Sequence, residues 1–141
     1  MAITQAVCNS FKKDLLDGVH DFDNGGDVFK LAMYTSQATI NAATTSFTTG
    51  NEVSSSGYTS GGKQLQSQLT SVASGVAIVD FADLSFTGVT LTARGALIYN
   101  STDSKKAVCA LDFGSDKTAT SGTFTIQFPA FTTSAAILRI S

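Results

Sequence analysis

Ile3, Val7, Phe11 and Leu15 recur every four residues, and Cys8 and Leu16 widen the same stripe. Gln5, Asn9, Lys12, Lys13 and Asp17 fall mainly on the other side, the pattern of an amphipathic helix resting on a core. Thr4 suits the N-cap and Gly18 the stop, which predicts a helix over about 4–17. Nothing else in the chain reads convincingly as a helix. After the turn cluster Asp21-Phe22-Asp23-Asn24-Gly25-Gly26-Asp27 the period drops to two. Phe29, Leu31 and Met33 alternate with Lys30, Ala32 and Tyr34, as a half-buried strand requires.

Residues 35 to 63 break the alternation. They are rich in Ser, Thr, Gly and Asn, with scattered Phe47, Val53 and Tyr58. So long a loop in a compact domain is usually functional or touches a partner. With little core of its own, it is expected to act as an arm that orders on contact. From Lys63 onward the pattern predicts strand after strand. Leu65, Ser67, Leu69 and Ser71 share a face, Val76 to Phe81 is compactly apolar, and Val89 to Tyr99 carries Gly95 as a bulge or close contact. A hairpin turn at 100–104 leads into Ala107 to Phe113. Phe124, Ile126 and Phe128 alternate before Pro129, and Ile137 to Ile140 closes the series. Seven or eight strands separated by turn signals predict a mainly β chain. The expected architecture is an antiparallel β-sandwich, jelly-roll-like, with one N-terminal amphipathic helix in a single domain over 1–141.

Composition sharpens this picture. Charged residues make up 14% of the 141 positions, against about a quarter in ordinary soluble domains. Ser and Thr fill the gap with 17 and 19 residues, so outward strand positions are neutral hydroxyls. Such a face stays soluble yet costs far less to desolvate than ions, which suits closely packed neighbours. A net charge of −2 with no basic block argues against a nucleic-acid binder. The most apolar window, 72–84, is too short and too interrupted to span a bilayer. The opening residues lack a cationic stretch followed by an apolar one, so synthesis in a cytoplasm without export is expected. Cys8 and Cys109 then read as small buried hydrophobes.

Candidate chemistry is thin. Gly57-Tyr58-Thr59-Ser60-Gly61-Gly62-Lys63-Gln64 nearly matches a phosphate-binding loop, but Gln64 stands where a magnesium-holding hydroxyl belongs. Asp21, Asp23, Asn24 and Asp27 resemble the start of a calcium loop, whose twelfth position is Ala32 instead of Glu. The spacing of Asp21, Asp23 and Asp27 suits a solvated helix-to-strand turn better than a weak cation site. His20, the sole histidine, has aspartates beside it but no nucleophile elbow, and suits a helix C-terminus electrostatically. Glu52, Asp80, Asp83 and Asp112 are not brought together as a carboxylate pair by any spacing. Asn100-Ser101-Thr102 is a glycosylation sequon by pattern. Accordingly no catalytic, cofactor-binding or metal-binding residue is assigned, and the chain is not read as an enzyme.

Two stretches carry a resemblance. Met1-Ala2-Ile3-Thr4-Gln5-Ala6-Val7-Cys8-Asn9-Ser10-Phe11-Lys12-Lys13-Asp14-Leu15-Leu16-Asp17-Gly18-Val19-His20 is the first. Ala93-Arg94-Gly95-Ala96-Leu97-Ile98-Tyr99-Asn100, continuing to Ala107-Val108-Cys109-Ala110-Leu111-Asp112-Phe113-Gly114, is the second. Together they resemble a family of small virion proteins of tailed bacteriophages. The resemblance implies a virion structural role, foremost a decoration (cement) protein on the capsid exterior that stabilises the mature lattice non-covalently. Its implied partners are the major capsid protein or other virion proteins and further copies of itself, a trimer being favoured, with no nucleic acid and no membrane. A neck or tail component is one alternative. A host-surface adhesin is the other, and exposed Tyr34, Phe47 and Tyr58 forming one patch would favour it.

Overall fold

A computed structural model describes residues 2–129 and 136–140. Its centre is a long antiparallel hairpin. Strands β6 (Leu84–Asn100) and β7 (Lys106–Ile126) pair from Leu84↔Ile126 to Asn100↔Lys106 around a turn at 101–105. The hydrophobic half of this hairpin, 95–100 with 106–112, is flanked by β2 (Phe29–Tyr34) on one side. On the other side lies β1 (Ala6–Val7), and the short β3 (Lys63–Gln64) adds to β2. A second antiparallel sheet consists of β4 (Leu69–Ala73), β5 (Val76–Asp80) and β8 (Leu138–Ile140). Both sheets contribute to one core, in which Phe22, Phe29 and Phe81 meet Leu138. The described residues are therefore mainly β and antiparallel with a single short helix, as the alternation predicts.

Ala96 through Asn100 are all buried, so the central sheet is covered on both faces. Helix α1 (Asn9–Leu16) and the aromatic cluster Phe11, Phe22 and Phe29 cover the face bearing Ile98 and Asn100. The segment 35–62 covers the face bearing Leu97 and Tyr99, where Phe47 stacks on Tyr99 at 4.7 Å. Gly95 marks the change from sheet to protruding hairpin. A register shift falls between Ala93 and Gly95, and a Cβ there would lie 2.5 Å from the Leu111 carbonyl oxygen and 2.8 Å from Ile3 Cγ2. The expected bulge and the expected close contact are both present.

Four expectations need correction. The helix begins at Asn9, not near Thr4, because residues 3–8 find β partners instead. Thr4 N donates to Ile40 O at 2.9 Å, Ala6 and Val7 pair with Ala110 and Cys109, and Cys8 N donates to Val108 O at 3.0 Å. Cys8 occupies the N-cap position with no side-chain cap. The stop is as expected: Gly18 N bonds to Leu15 O and Val19 N to Asp14 O, a paired closure that needs the left-handed Gly18.

The continuous strand expected over Lys63 to Ser71 is broken into β3 and β4 at Ser67, whose φ is 56°. Leu65 is therefore buried while Leu69 is exposed. Conversely, the strands expected at 107–113 and 123–128 belong to the single β7, which ends at Ile126. Finally, the segment 35–63 is not short of core. Ala38, Ile40, Val53 and Tyr58 are buried. Beyond the end of β3, Val53 N donates to Met33 O and Met33 N donates to Tyr58 Oη, so the segment supplies the hydrogen bonds that the free edge of β2 lacks.

Candidate binding surfaces

Past Gly95 the hairpin outruns its neighbours. The β2 pairing stops at Tyr34↔Gly95 and β1 reaches only Ala110, leaving 84–94 and 113–126 as a two-stranded ribbon. One face of the ribbon is apolar and covered. Leu84, Phe86, Val89, Leu91, Phe124 and Ile126 are buried there, and Tyr58 packs 5.7 Å from Phe86. Strand alternation puts the hydroxyls on the opposite face, where Thr87, Thr90, Thr92, Thr118 and Thr125 are exposed. These hydroxyls bond across the strands: Ser85 with Thr125 at 3.1 Å and Thr92 with Thr118 at 2.9 Å, while Thr90 accepts from Ser121 N at 2.9 Å. The row ends at the Arg94–Asp112 ion pair, 3.1 Å long. The Asp112 carboxyl is held below the usual range by the Gly114 backbone N–H and by Arg94. From Ser85 and Thr125 to Thr92 and Thr118 the cross-strand partners on this face are hydroxyls, pre-ordered by one another.

A second surface is a cleft of about 650 Å³ between α1 and the β4–β5–β8 sheet. Phe11 and Leu15 line one wall and Ala77, Val79 and Leu138 the other. At its mouth stand Leu16, 89% exposed, and Ile140, 57% exposed. His20 lies at the inner end. Its ring is buried 4.9 Å from Phe11, and its Nδ1 lies 3.1 Å from Asn100 Nδ2. The same amide nitrogen donates to Asp27 Oδ2 at 2.8 Å, so its second hydrogen serves His20 and the ring proton belongs on Nε2. Nε2 is 3.9 Å from Asp14 Oδ2 and has no hydrogen-bond partner. Burial lowers the His20 pKa, and the ring is neutral at pH 7.

The motifs singled out in the sequence take structural places. In the Gly57–Gln64 loop, Ser60 Oγ and Gly61 N both donate to the Glu52 carboxylate, at 2.8 and 2.7 Å. An anion already sits where a phosphate would have to bind. In the 21–27 turn, Asp21 Oδ1 accepts from Asp23 N, and Asp27 Oδ2 accepts from Asp21 N and Asn100. Among the described residues no three His, Cys, Asp or Glu side chains gather as metal ligands. Asn100 of the sequon is fully buried and its Oδ1 accepts from Thr102 N and Asp103 N, so it cannot carry a glycan. The aromatic patch that would favour an adhesin does not form, because Tyr34 and Tyr58 are buried and Phe47 lies against Tyr99. Asp83 caps Phe128 N, far in role from the Asp112 pair. Cys8 and Cys109 are buried and free, and burial raises their thiols to about 11 and about 12.

Sequence reasoning missed the cleft and the Asn100 junction. Leu16 was placed within the helix stripe, yet it stands outside the core; only the late start of the helix reveals this. No family model, no curated protein and no solved structure matches the chain.

Proposed function

We propose that this chain is a structural protein of a tailed-bacteriophage particle that decorates the capsid exterior and stabilises the assembled shell. The observation that carries the reading is the row of paired neutral hydroxyls on the outer face of the β6–β7 ribbon, Ser85 with Thr125 and Thr92 with Thr118. A row of neutral hydroxyls can be pressed against a protein lattice without stripping water from ions. It offers no electrostatic attraction for nucleic acid. The resemblance of the two end stretches to phage virion proteins supports the same reading. Decoration needs no chemistry beyond differential affinity. A protein that binds the mature lattice better than its precursor shifts the equilibrium toward the mature form by mass action.

The test is the copy number per purified particle, by quantitative mass spectrometry against the major capsid protein. Hundreds of copies are expected. Between about three and a dozen would move the chain to a neck, tail or adhesin ring, as closed symmetry requires. Absence from the particle would overturn the reading.

A further inference from the structure

Among the described residues four large apolar side chains are strongly exposed: Leu16, Leu69, Val72 and Ile140. Three of them belong to one place. Val72 pairs with Ala77 and Ala77 with Ile140, so Val72, Ala77 and Ile140 form a row on a single face of the β4–β5–β8 sheet. Ala77 and Ile140 line the α1 cleft, and Leu16 projects at the same mouth from the last turn of the helix. Isolated exposed leucines are ordinary, whereas a contiguous apolar patch around an apolar cleft marks an interaction surface. The patch continues to the outer edge of β4, which is unpaired among the described residues. Leu69-Thr70-Ser71-Val72-Ala73 carries none of the lysines or prolines with which proteins usually guard such an edge.

We propose that the occupant of this surface is a second copy of the chain, seated so that Leu16 of each copy enters the cleft of the other. Two features select a like partner. First, the surface holds an apolar projection and an apolar recess side by side, and a two-fold rotation brings each onto its complement. Second, the cleft is lined by charges of both signs, Lys12 with Asp21 and Asp23. An isologous contact can place opposite signs across the interface, while a uniformly charged partner would meet repulsion on one side. The contact so derived is two-fold, in place of the trimer favoured on the resemblance. It leaves the hydroxyl face of the ribbon outside the contact.

Analytical ultracentrifugation of the purified full chain tests this. At about 100 µM, far above the dissociation constant of a specific interface of ordinary size, the wild type should sediment at twice its 14.6 kDa mass. Leu16→Asp should weaken association at least about 100-fold, since both copies lose the buried leucine. Val72→Lys, in the same cross-strand row as Ala77 and Ile140, should do the same. Both sites are exposed, so far-UV circular dichroism should stay unchanged and a folding defect is separable from lost association. A monomeric wild type overturns the proposal, and so does a dimer indifferent to both substitutions. A monomer that instead partitions onto anionic phosphatidylglycerol vesicles through Leu16 would assign the patch to a membrane and also overturn it. The particle copy number is independent of this result, so either reading can fail alone.

Discussion

Removing one hydroxyl, by Tyr58→Phe, tests how firmly the irregular half of the chain is held. Tyr58 Oη accepts from Met33 N at 2.9 Å and donates to Glu52 Oε2 at 2.6 Å. Burial and the neighbouring Glu52 carboxylate raise its pKa well above the usual tyrosine value, so at neutral pH it remains a protonated donor. Met33 is fully buried and lies past the end of β3 on the edge of β2. No other group replaces the lost acceptor, and an orphaned buried donor costs about 1–3 kcal/mol. Glu52 keeps Ser60 and Gly61 as donors, so its share is smaller, about 1 kcal/mol or less. The sum is about 2–3 kcal/mol, or a fall in Tm of roughly 5–10 °C for a chain of this length. Tyr34→Phe is the comparison. Tyr34 Oη only donates to the partly buried Thr48 carbonyl at 2.7 Å, and its loss should cost about 1 kcal/mol.

Urea unfolding followed by far-UV circular dichroism would read both variants, with m unchanged if the denatured state is unaffected. The refuting result is a Tyr58→Phe cost below about 0.5 kcal/mol, or a larger cost for Tyr34→Phe. Either would mean that residues 52–62 do not brace the β2 edge. The order-on-contact arm expected from their composition would then regain its footing.

Other consequences follow from single sites. Because burial lowers the His20 pKa, the folded chain binds that proton less well than the unfolded chain. Stability is fully present above about pH 6.5 and is lost as pH falls toward the folded-state pKa, with a slope of at most about 1.4 kcal/mol per pH unit. His20→Gln should flatten the acid limb of a stability–pH curve, and an unchanged limb would contradict the assignment. Gly62→Ala should prevent folding or cost several kcal/mol, about 3 or more. Its φ is 79° and an added Cβ would overlap the Leu31 carbonyl oxygen, so a soluble variant of wild-type Tm would refute the tight approach. Neither thiol should react with Ellman's reagent at pH 8 until the chain unfolds, whereas fast reaction of either would place it at the surface. On the ribbon, Thr92→Glu should leave Tm within a few degrees and sharply reduce particle binding in a re-addition assay; full binding would move the contact elsewhere.

How far the sequence could be read depended on where each residue's hydrogen bonds go. The strands β2 and β6 were legible from their period of two, but the half-buried character expected of β2 was not borne out: Ala32 and Tyr34 are buried along with Phe29, Leu31 and Met33, because distant segments cover both faces of the sheet. The helix start was not legible, because Ile3 and Val7 satisfy a four-residue spacing and a strand pairing equally well. The choice between them rests on Ile40 and Cys109, distant partners that no local pattern announces. Segment 35–63 misled for the opposite reason. Its apolar residues are too few to look like a core, but Val53 and Tyr58 complete the edge of a strand already built. His20 shows the same limit, since Asn100, eighty residues away, sets its tautomer.

These misreadings bear on function as well as fold. Three of the polar motifs that looked chemical in the sequence are occupied by their own chain: Glu52 fills the glycine loop, backbone amides and Asn100 engage the 21–27 aspartates, and Asn100 is closed to glycans. Two surfaces stand out on the described chain, the hydroxyl face of the ribbon and the largely apolar Leu16 cleft. Groups that turn over a substrate must be exposed to it and leave hydrogen-bonding capacity unspent, whereas groups that hold a neighbour need shape and cheap desolvation. On the reading proposed above, the two surfaces serve the second purpose. They also lie on different elements, the ribbon on β6 and β7 and the cleft between α1 and the β4–β5–β8 sheet. One face can therefore hold a like copy while the other is pressed against a lattice, and a substitution at Leu16 should separate the copies without touching the hydroxyl row.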